Sequence, residues 1–380
     1  MTATLTPSRI SAAQLVAALS VRDLTDPAAG PHALQALLGA AVDALAARWG
    51  CAVEVHRPSP LVAVEDNYDR LGYAPAAATR AGRYSRYVSD TVMLRSHTSA
   101  GVPPALRGLA ARPGPPADVL LVLPGLTHRR DVVDRLHVGT PHQLDLWRIT
   151  RDAPVRVPDL LDMVDALVTA VLPGARWRAE PAEHPYTTDG LQVDVRTADG
   201  WVELAECGLA APHVLRRAGL DPARHTGLAL GMGLDRALML RKGVPDIRLL
   251  RAEDPRIAGQ MLDLAPWRPV SALPPVRRDL SIVLDGPVVD PELLGDRVRT
   301  ALGARADALE SLDVLAATPH EDLPTPARTR LGTRPGQLNV LLRLVLRPVD
   351  RTLTDAEANA VRDRVYAAVH EGPHHEWAAC

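Results

Sequence analysis

Three stretches of this sequence carry more polar, phosphate-competent side chains than a structural core requires. MLRSHTSAG (93–101) sets Arg95, His97 and several hydroxyls close together. THRRDVVDRLHVGTPHQLD (127–145) places arginine, aspartate and histidine on either side of a predicted hairpin loop. GLALGMGLDRALMLRKGVPDIR (227–248) is a glycine-spaced strand running into a helix that opens on Asp235 and Arg236. Guanidinium forks suit phosphate and carboxylate oxygens. Read one at a time, each stretch also has an ordinary role. The glycines of 227–233 do not match GxGxxG and would suit close-packed backbone. Arg129 and Arg130 would serve as a solvated surface pair, and His97 as a partly buried histidine. Together and in this order they are harder to dismiss as structural residues.

The elements that must position these residues follow from spacing. Helical periodicity covers 11–20 and 32–48, the second between Pro31 and Gly50. AVEVH (52–56) alternates as a strand does, and PSP (58–60) breaks it. The proline-rich run at 102–116 reads as a connection or a helix closed by a loop. DVLLVLPG (118–125) is short and apolar enough for a buried strand. A helix is predicted at 158–172, then strands in ARWRAE, LQVDVR, WVELAEC and TGLALGMG, then helical patterning at 234–242 and 253–263. PWRPVSALPPVRRD (266–279) has the composition of a linker. Beyond it the spacing predicts a strand at 280–284, a helix near 290–303, a strand at 339–346 and a helix near 354–370. Two further strands are expected near 310–316 and 326–332. The result is an α+β chain with domains at 1–270 and 271–380, the second compatible with a ferredoxin-like fold.

Bulk properties exclude some classes. A chain of 380 residues with 47% hydrophobic content can bury a core of two domains. The net charge of −2 demands neither nucleic acid nor a membrane surface. Cys51, Cys207 and Cys380 show no CxxC spacing, so no zinc knuckle or disulfide framework is expected. The first twenty residues do not read as a signal peptide, and no apolar run is long enough for a bilayer. A cytoplasmic protein is the expectation. Lys242 is the sole lysine, and phenylalanine is absent. Codon bias accounts for that absence, as does selection against the residue.

LRSHTS resembles the LRTHTS signature of phenylalanyl-tRNA synthetases. HRRD with the following PHQLD resembles their class II motif 2, Y-R-x-D…H…F-H-Q-x-E. WVELAECG is similar to the W-L-E-x-x-G-C-G strand, and residues 227–248 are similar to motif 3, G-F-A-F-G-x-G-x-E-R-L-x-M-L-R-x-G-x-x-D-I-R. The resemblance extends from NYDRLGY (67–73) into PPVRRDLSIVL and RTLTDAEANAVRDRV, covering roughly residues 50–370. It implies a class II antiparallel sheet flanked by helices, followed by a ferredoxin-like, anticodon-binding-like domain. The arrangement is like the single-chain mitochondrial form, without an editing domain in this chain.

The resemblance also implies roles. Arg129 would grip the α-phosphate and the substrate carboxylate, and Arg236 the far end of ATP's triphosphate. Asp131 would meet the adenine side, and Glu203 would help hold Mg²⁺. His97, Ser99, Gln143 and Asp145 would surround the amino acid's ammonium group. His184, Tyr186, Thr187 and Ala229 would shape the side-chain pocket. Departures accompany the match. F-P-F becomes His184-Pro185-Tyr186, and the adenine-stacking aromatic becomes Pro141, a loss worth about 1 kcal/mol on typical aromatic-pair values. Asp145 replaces Glu, Leu146 replaces Gly, and Leu228 and Leu230 replace the motif 3 phenylalanines.

The expected activity is ATP-dependent activation of an amino acid, by default phenylalanine, with transfer to tRNA by a monomer or homodimer. Residues 272–380 hold thirteen arginines and no lysine against sixteen carboxylates, an acidic balance for a nucleic-acid module. Two other outcomes stay open. One is a paralogue that passes a different amino acid to a small molecule or carrier protein. The other is a non-catalytic binding or regulatory protein.

Overall fold

The run Val119–Leu123 is buried at every residue, as a strand must be when helices cover both faces of its sheet. It lies in the first of two units. That unit holds the chain up to Arg129, Thr140–Val244 and Gln260–Trp267; the second holds Arg130–Gly139, Pro245–Gly259 and the chain from Arg268. The structure is a computed structural model describing residues 9–82, 84–130, 132–270, 273–349 and 351–374.

The first unit opens with helices α1 (Ala12–Leu19) and α2 (Ala33–Trp49), then strand β1 (Ala52–Val55). The His32 side chain caps α2 by accepting from Leu34 N–H at 3.1 Å, and Gly50 ends it at φ 60°. Three short strands follow, β2 (Leu61–Ala63), β3 (Arg86–Tyr87) and β4 (Val92–Leu94), forming a small antiparallel sheet in the order β2-β4-β3. Next come α3 (Val102–Ala110), the hairpin strands β5 (Asp118–Leu126) and β6 (His142–Arg151), and α4 (Val157–Val171). Strands β7 (Trp177–Pro181), β8 (Thr187–Thr197) and β9 (Gly200–Ala210) lead to α5 (Pro212–Arg217), β10 (His225–Gly233) and α6 (Leu234–Lys242).

The main sheet runs β1-β5-β6-β10-β9-β8-β7, antiparallel except where β1 meets β5. One face packs Val119, Leu121, Leu123, Trp147, Ile149 and Ala229 with apolar residues of α3 and α5. By alternation, Leu120, Val122, Leu146, Leu228 and Leu230 point to the other face. Lys242 is buried and donates to the Asp263 and Ala265 carbonyls at 2.8 and 2.6 Å, so the sole lysine ties down the chain beyond α6. The mixed α+β architecture, a large antiparallel sheet flanked by helices, agrees with the expected fold class.

In the second unit, α7 (Pro255–Ala258) precedes β11 (Val276–Asp285), α8 (Pro291–Leu302), β12 (Leu309–Pro319), α9 (Thr325–Leu331), β13 (Gln337–Leu346) and α10 (Asp355–Val369). The sheet order is β11-β13-β12, all antiparallel. Leu280, Ile282, Val340, Leu342 and Leu344 face Val298 of α8 and Val361 and Val365 of α10 in one core, which also takes Val133. The expected strand near 326–332 is instead α9. Pro324 at its N-cap and Pro326 in its first turn fit a helix start, and Gly332 ends it at φ 64°. No helix among the described residues is long and apolar enough to cross a membrane.

Candidate functional site

Register across three strands assembles the site. Asp145 on β6 pairs with Gly231 on β10, which pairs with Glu206 on β9. One step along, Trp147 pairs with Ala229, which pairs with Gly208. Paired residues share a face. That face therefore carries Gln143, Asp145, Trp147, Ala229 and Glu206, with a bare floor at Gly208, Gly231 and Gly233. The bareness is required at Gly208, where a Cβ would come within 2.5 Å of the Thr187 Cβ. Leu146, Leu228 and Leu230 are buried on the opposite face. Those three departures from the family pattern are core packing and leave the pocket untouched.

Aromatic rings wall the floor. His184-Pro185-Tyr186 leads into β8, fixed where Ala211 N–H donates to the Tyr186 carbonyl at 3.0 Å. The His184 ring stacks on Tyr186 at 5.9 Å, and Tyr186 lies 6.2 Å from Trp147 and 6.3 Å from Tyr73. Tyr73 in turn stacks on His97 at 5.6 Å with the planes 20° apart. The approach of Tyr73 depends on Gly72, which sits at φ 94°; a Cβ there would come within 2.8 Å of the Pro185 carbonyl.

Charge in the site is unevenly matched. Asp145 is buried and accepts from Thr98 Oγ1 at 2.6 Å and from the indole N–H of Trp147 at 3.3 Å. Burial pushes its carboxyl pKa up, while the hydroxyls of Thr98 and Ser99 pull it back. No cation among the described residues pairs with it. Arg129 is the converse: its Nε is buried without a hydrogen-bond partner, and no carboxylate among the described residues pairs with it. Its charge nonetheless reaches His97, Tyr73, Glu203 and Glu206.

Around this pair the other groups are set by their surroundings. Burial drives His97 down to about 3, helped by Arg129, so its ring is neutral near pH 7. The Asn67 backbone acts in the opposite sense, yet neither ring nitrogen makes a hydrogen bond of normal geometry. Burial holds Tyr73 and Tyr186 as phenols. Glu203 is raised by burial and by Glu206, while Arg236 and Arg129 lower it. Arg236 Nη1 also donates to the Glu203 carbonyl at 3.3 Å. The His184 imidazole, 3.4 Å away, and Arg129 hold Glu206 low against burial.

The structure thus gathers His97, Ser99, Asp145, Gln143, Arg129, Glu203, Arg236, His184, Tyr186, Thr187 and Ala229 within one unit. Asp131 lies outside the described residues. Sequence reasoning did not single out Tyr73, Trp147, Glu206 or the buried pairing of His142 with Asp235. A signal existed for Glu206, which stands at the first glycine of the quoted W-L-E-x-x-G-C-G pattern.

His97 gives a pH prediction. The unfolded chain takes up a proton near the ordinary histidine value of 6.5, and the folded chain refuses it until about 3. Stability therefore falls as pH drops through that window. Asp145, raised by burial, acts in the opposite sense and is common to parent and variant. Melting curves from pH 6.5 to 4.5 should fall less steeply for His97→Gln than for the parent. Parallel curves would contradict a neutral, buried imidazole.

The tRNA synthetases class II core domain (F) family matches residues 52–261. The chain is 34% identical over 201 residues to the phenylalanine–tRNA ligase alpha subunit of Mycobacterium avium, covering 50% of this chain and 56% of that one. It is 32% identical over 194 residues to the same subunit of Prochlorococcus marinus, covering 51% and 56%. The chain spans about half the length of these curated relatives. A pyrrolysyl tRNA synthetase structure from Desulfitobacterium hafniense is 18% identical, with a TM-score of 0.44 over 58% of this chain and 73% of that one.

Proposed function

This chain belongs to the phenylalanyl-tRNA synthetase family of class II synthetases, and from that premise we propose that it activates an amino acid with ATP and passes it to tRNA. Phenylalanine is the default substrate within this reading, and the cytoplasm its setting. One observation carries the proposal. Over a single glycine floor stand a buried carboxyl that makes no ion pair with a cation among the described residues, Asp145, and a guanidinium that makes none with a carboxylate among them, Arg129. Unpaired buried charge is costly. A zwitterionic amino acid supplies both missing partners at once.

In this reading Asp145, Gln143 and Ser99 receive the ammonium group, and neutral His97 offers it a lone pair instead of a repelling charge. Arg129 holds the carboxylate against the α-phosphate of ATP. A carboxylate oxygen attacks the α-phosphorus, the bond to the leaving phosphate breaks, and pyrophosphate departs. The charge that builds there falls beside a preorganised guanidinium. Arg236, beside Glu203, holds the far end of the triphosphate. Among the described residues no cluster of three His, Cys, Asp or Glu side chains would hold a metal alone. A single carboxylate with substrate phosphates suits Mg²⁺, so Glu203 fits as its protein ligand, and the ion would screen the phosphate charge. The adenine role of Asp131 rests on the sequence resemblance.

A second reading keeps adenylation and changes the acceptor to a small molecule or carrier protein. Ion pairs in the second unit favour it. Arg343–Asp279, Arg278–Asp355, Arg297–Glu371 and Arg347–Glu310 lie at 2.8, 2.6, 2.5 and 2.8 Å. Arginines held by the chain's own acids are poorly placed to meet phosphates. Amino-acid-dependent ATP–pyrophosphate exchange across the twenty standard amino acids and aromatic analogues tests the shared core. Exchange followed by charging of tRNA supports the first reading, and exchange without charging supports the second. A folded protein silent across the panel with Mg²⁺ present sinks both.

A further inference from the structure

Glu206 and His184 belong to neither the carboxylate-activating nor the ammonium-binding set, yet they face the same pocket. Glu206 projects from β9 beside the bare Gly231, with Asp145 on the far side of that glycine. Two inter-strand steps put the two backbones roughly 10 Å apart. An aromatic amino acid bound by its ammonium at Asp145 would therefore lay its ring across Gly231 with its far edge toward Glu206.

His184 supplies the second, independent observation. Its side chain is 7% exposed, and its Nε2 is buried without a hydrogen bond, although Glu206 Oε1 is 3.4 Å away. Its Nδ1 is 3.3 Å from Thr187 Oγ1, and the ring stacks on Tyr186. With Nδ1 accepting from the Thr187 hydroxyl, Nε2 carries the proton and meets Glu206 only through the long 3.4 Å contact, which is poor hydrogen-bond geometry. Glu206 is an acceptor, and its side chain is 44% exposed. A donor and an acceptor side by side at the end of an aromatic slot match a group that both donates and accepts.

Resting on the adenylation reading for the orientation of the amino acid, we infer that His184 and Glu206 form a specificity device for an aromatic amino acid bearing a ring hydroxyl. The hydroxyl donates its proton to the Glu206 carboxylate and accepts from His184 Nε2–H. A plain phenyl ring leaves the two groups only their long contact with each other, and sites built to bond a hydroxyl discriminate strongly against analogues lacking it. A ring amine would only donate, and a methyl ether would only accept.

The test is calorimetric titration of the full chain, without ATP, using phenylalanine, 3-hydroxy- and 4-hydroxyphenylalanine, and the two methyl ethers. At least one hydroxylated ring should bind about tenfold or more tighter than phenylalanine, and its methyl ether should lose that gain. Glu206→Gln, with its fold checked by melting, should bring the preference to within about threefold. The inference is overturned if phenylalanine binds as well as both phenols, if Glu206→Gln keeps the preference, or if the folded chain binds none of the panel. Pyrophosphate exchange on the same panel separates the two claims. Selective binding of a phenol without exchange upholds the specificity device and removes the adenylation reading. Exchange that is best with phenylalanine does the reverse.

Discussion

Replacing Arg129 with alanine is expected to lower amino-acid-dependent pyrophosphate exchange by about 10²–10³-fold, the scale of losing one preorganised transition-state donor, while the chain stays folded. The two halves of this expectation share one cause. Arg129 pairs with no carboxylate among the described residues and its Nε has no hydrogen-bond partner, so alanine breaks no ion pair among those residues. What it removes is the positive charge facing Glu203, Glu206 and the neutral ring of His97. Anionic substrate would then meet two carboxylates with a counter-charge missing. Lysine should not restore the rate, because a point charge cannot grip two oxygens as a planar fork does. Exchange kinetics and a thermal melt decide the matter. A rate within threefold of the parent would remove Arg129 from the reaction, and an unfolded variant would show that its role is structural.

Local order was readable wherever one signal dominated. The span between Pro31 and Gly50 gave α2 because apolar period and terminal punctuation agreed. DVLLVLPG gave β5 because it was too short and apolar for anything but a buried strand. Residues 326–332 were misread because capping there outweighs a short β-compatible pattern, as Gly332 at φ 64° shows. No periodicity revealed that β10 would lie between β6 and β9, since that pairing joins residues far apart in sequence. This pairing makes the pocket. Arg129, Asp145 and Arg236 stood out in the sequence because each sits in a spaced motif. Glu206, Tyr73 and Trp147 become neighbours only through the register and the Gly72 turn. Leu228 and Leu230 could not be assigned to pocket or core from the sequence for the same reason: which face a strand residue takes depends on its partners.

The largest stability effect is expected at Asp235, which ties three distant segments together. His142 is fully buried. Its Nε2 accepts from Leu24 N–H at 3.0 Å, so the ring proton sits on Nδ1 and donates to Asp235 Oδ1 at 2.8 Å. The His142 backbone N–H donates to Asp235 Oδ2 at 2.6 Å. The carboxylate at the head of α6 thereby fixes the start of β6 and, through the imidazole, the chain before α2. Alanine would orphan two buried donors at once, which costs about 2–4 kcal/mol and lowers the melting temperature by roughly 5–10 °C. Arg236 is the next residue on the same helix turn, so catalysis should suffer too. The Michaelis constant for ATP should rise even in preparations held below the lowered melting point. A melting temperature within 2 °C of the parent would show that α6 is positioned by packing alone. A large thermal loss with unchanged ATP kinetics would confine Asp235 to the fold and detach it from the placement of Arg236.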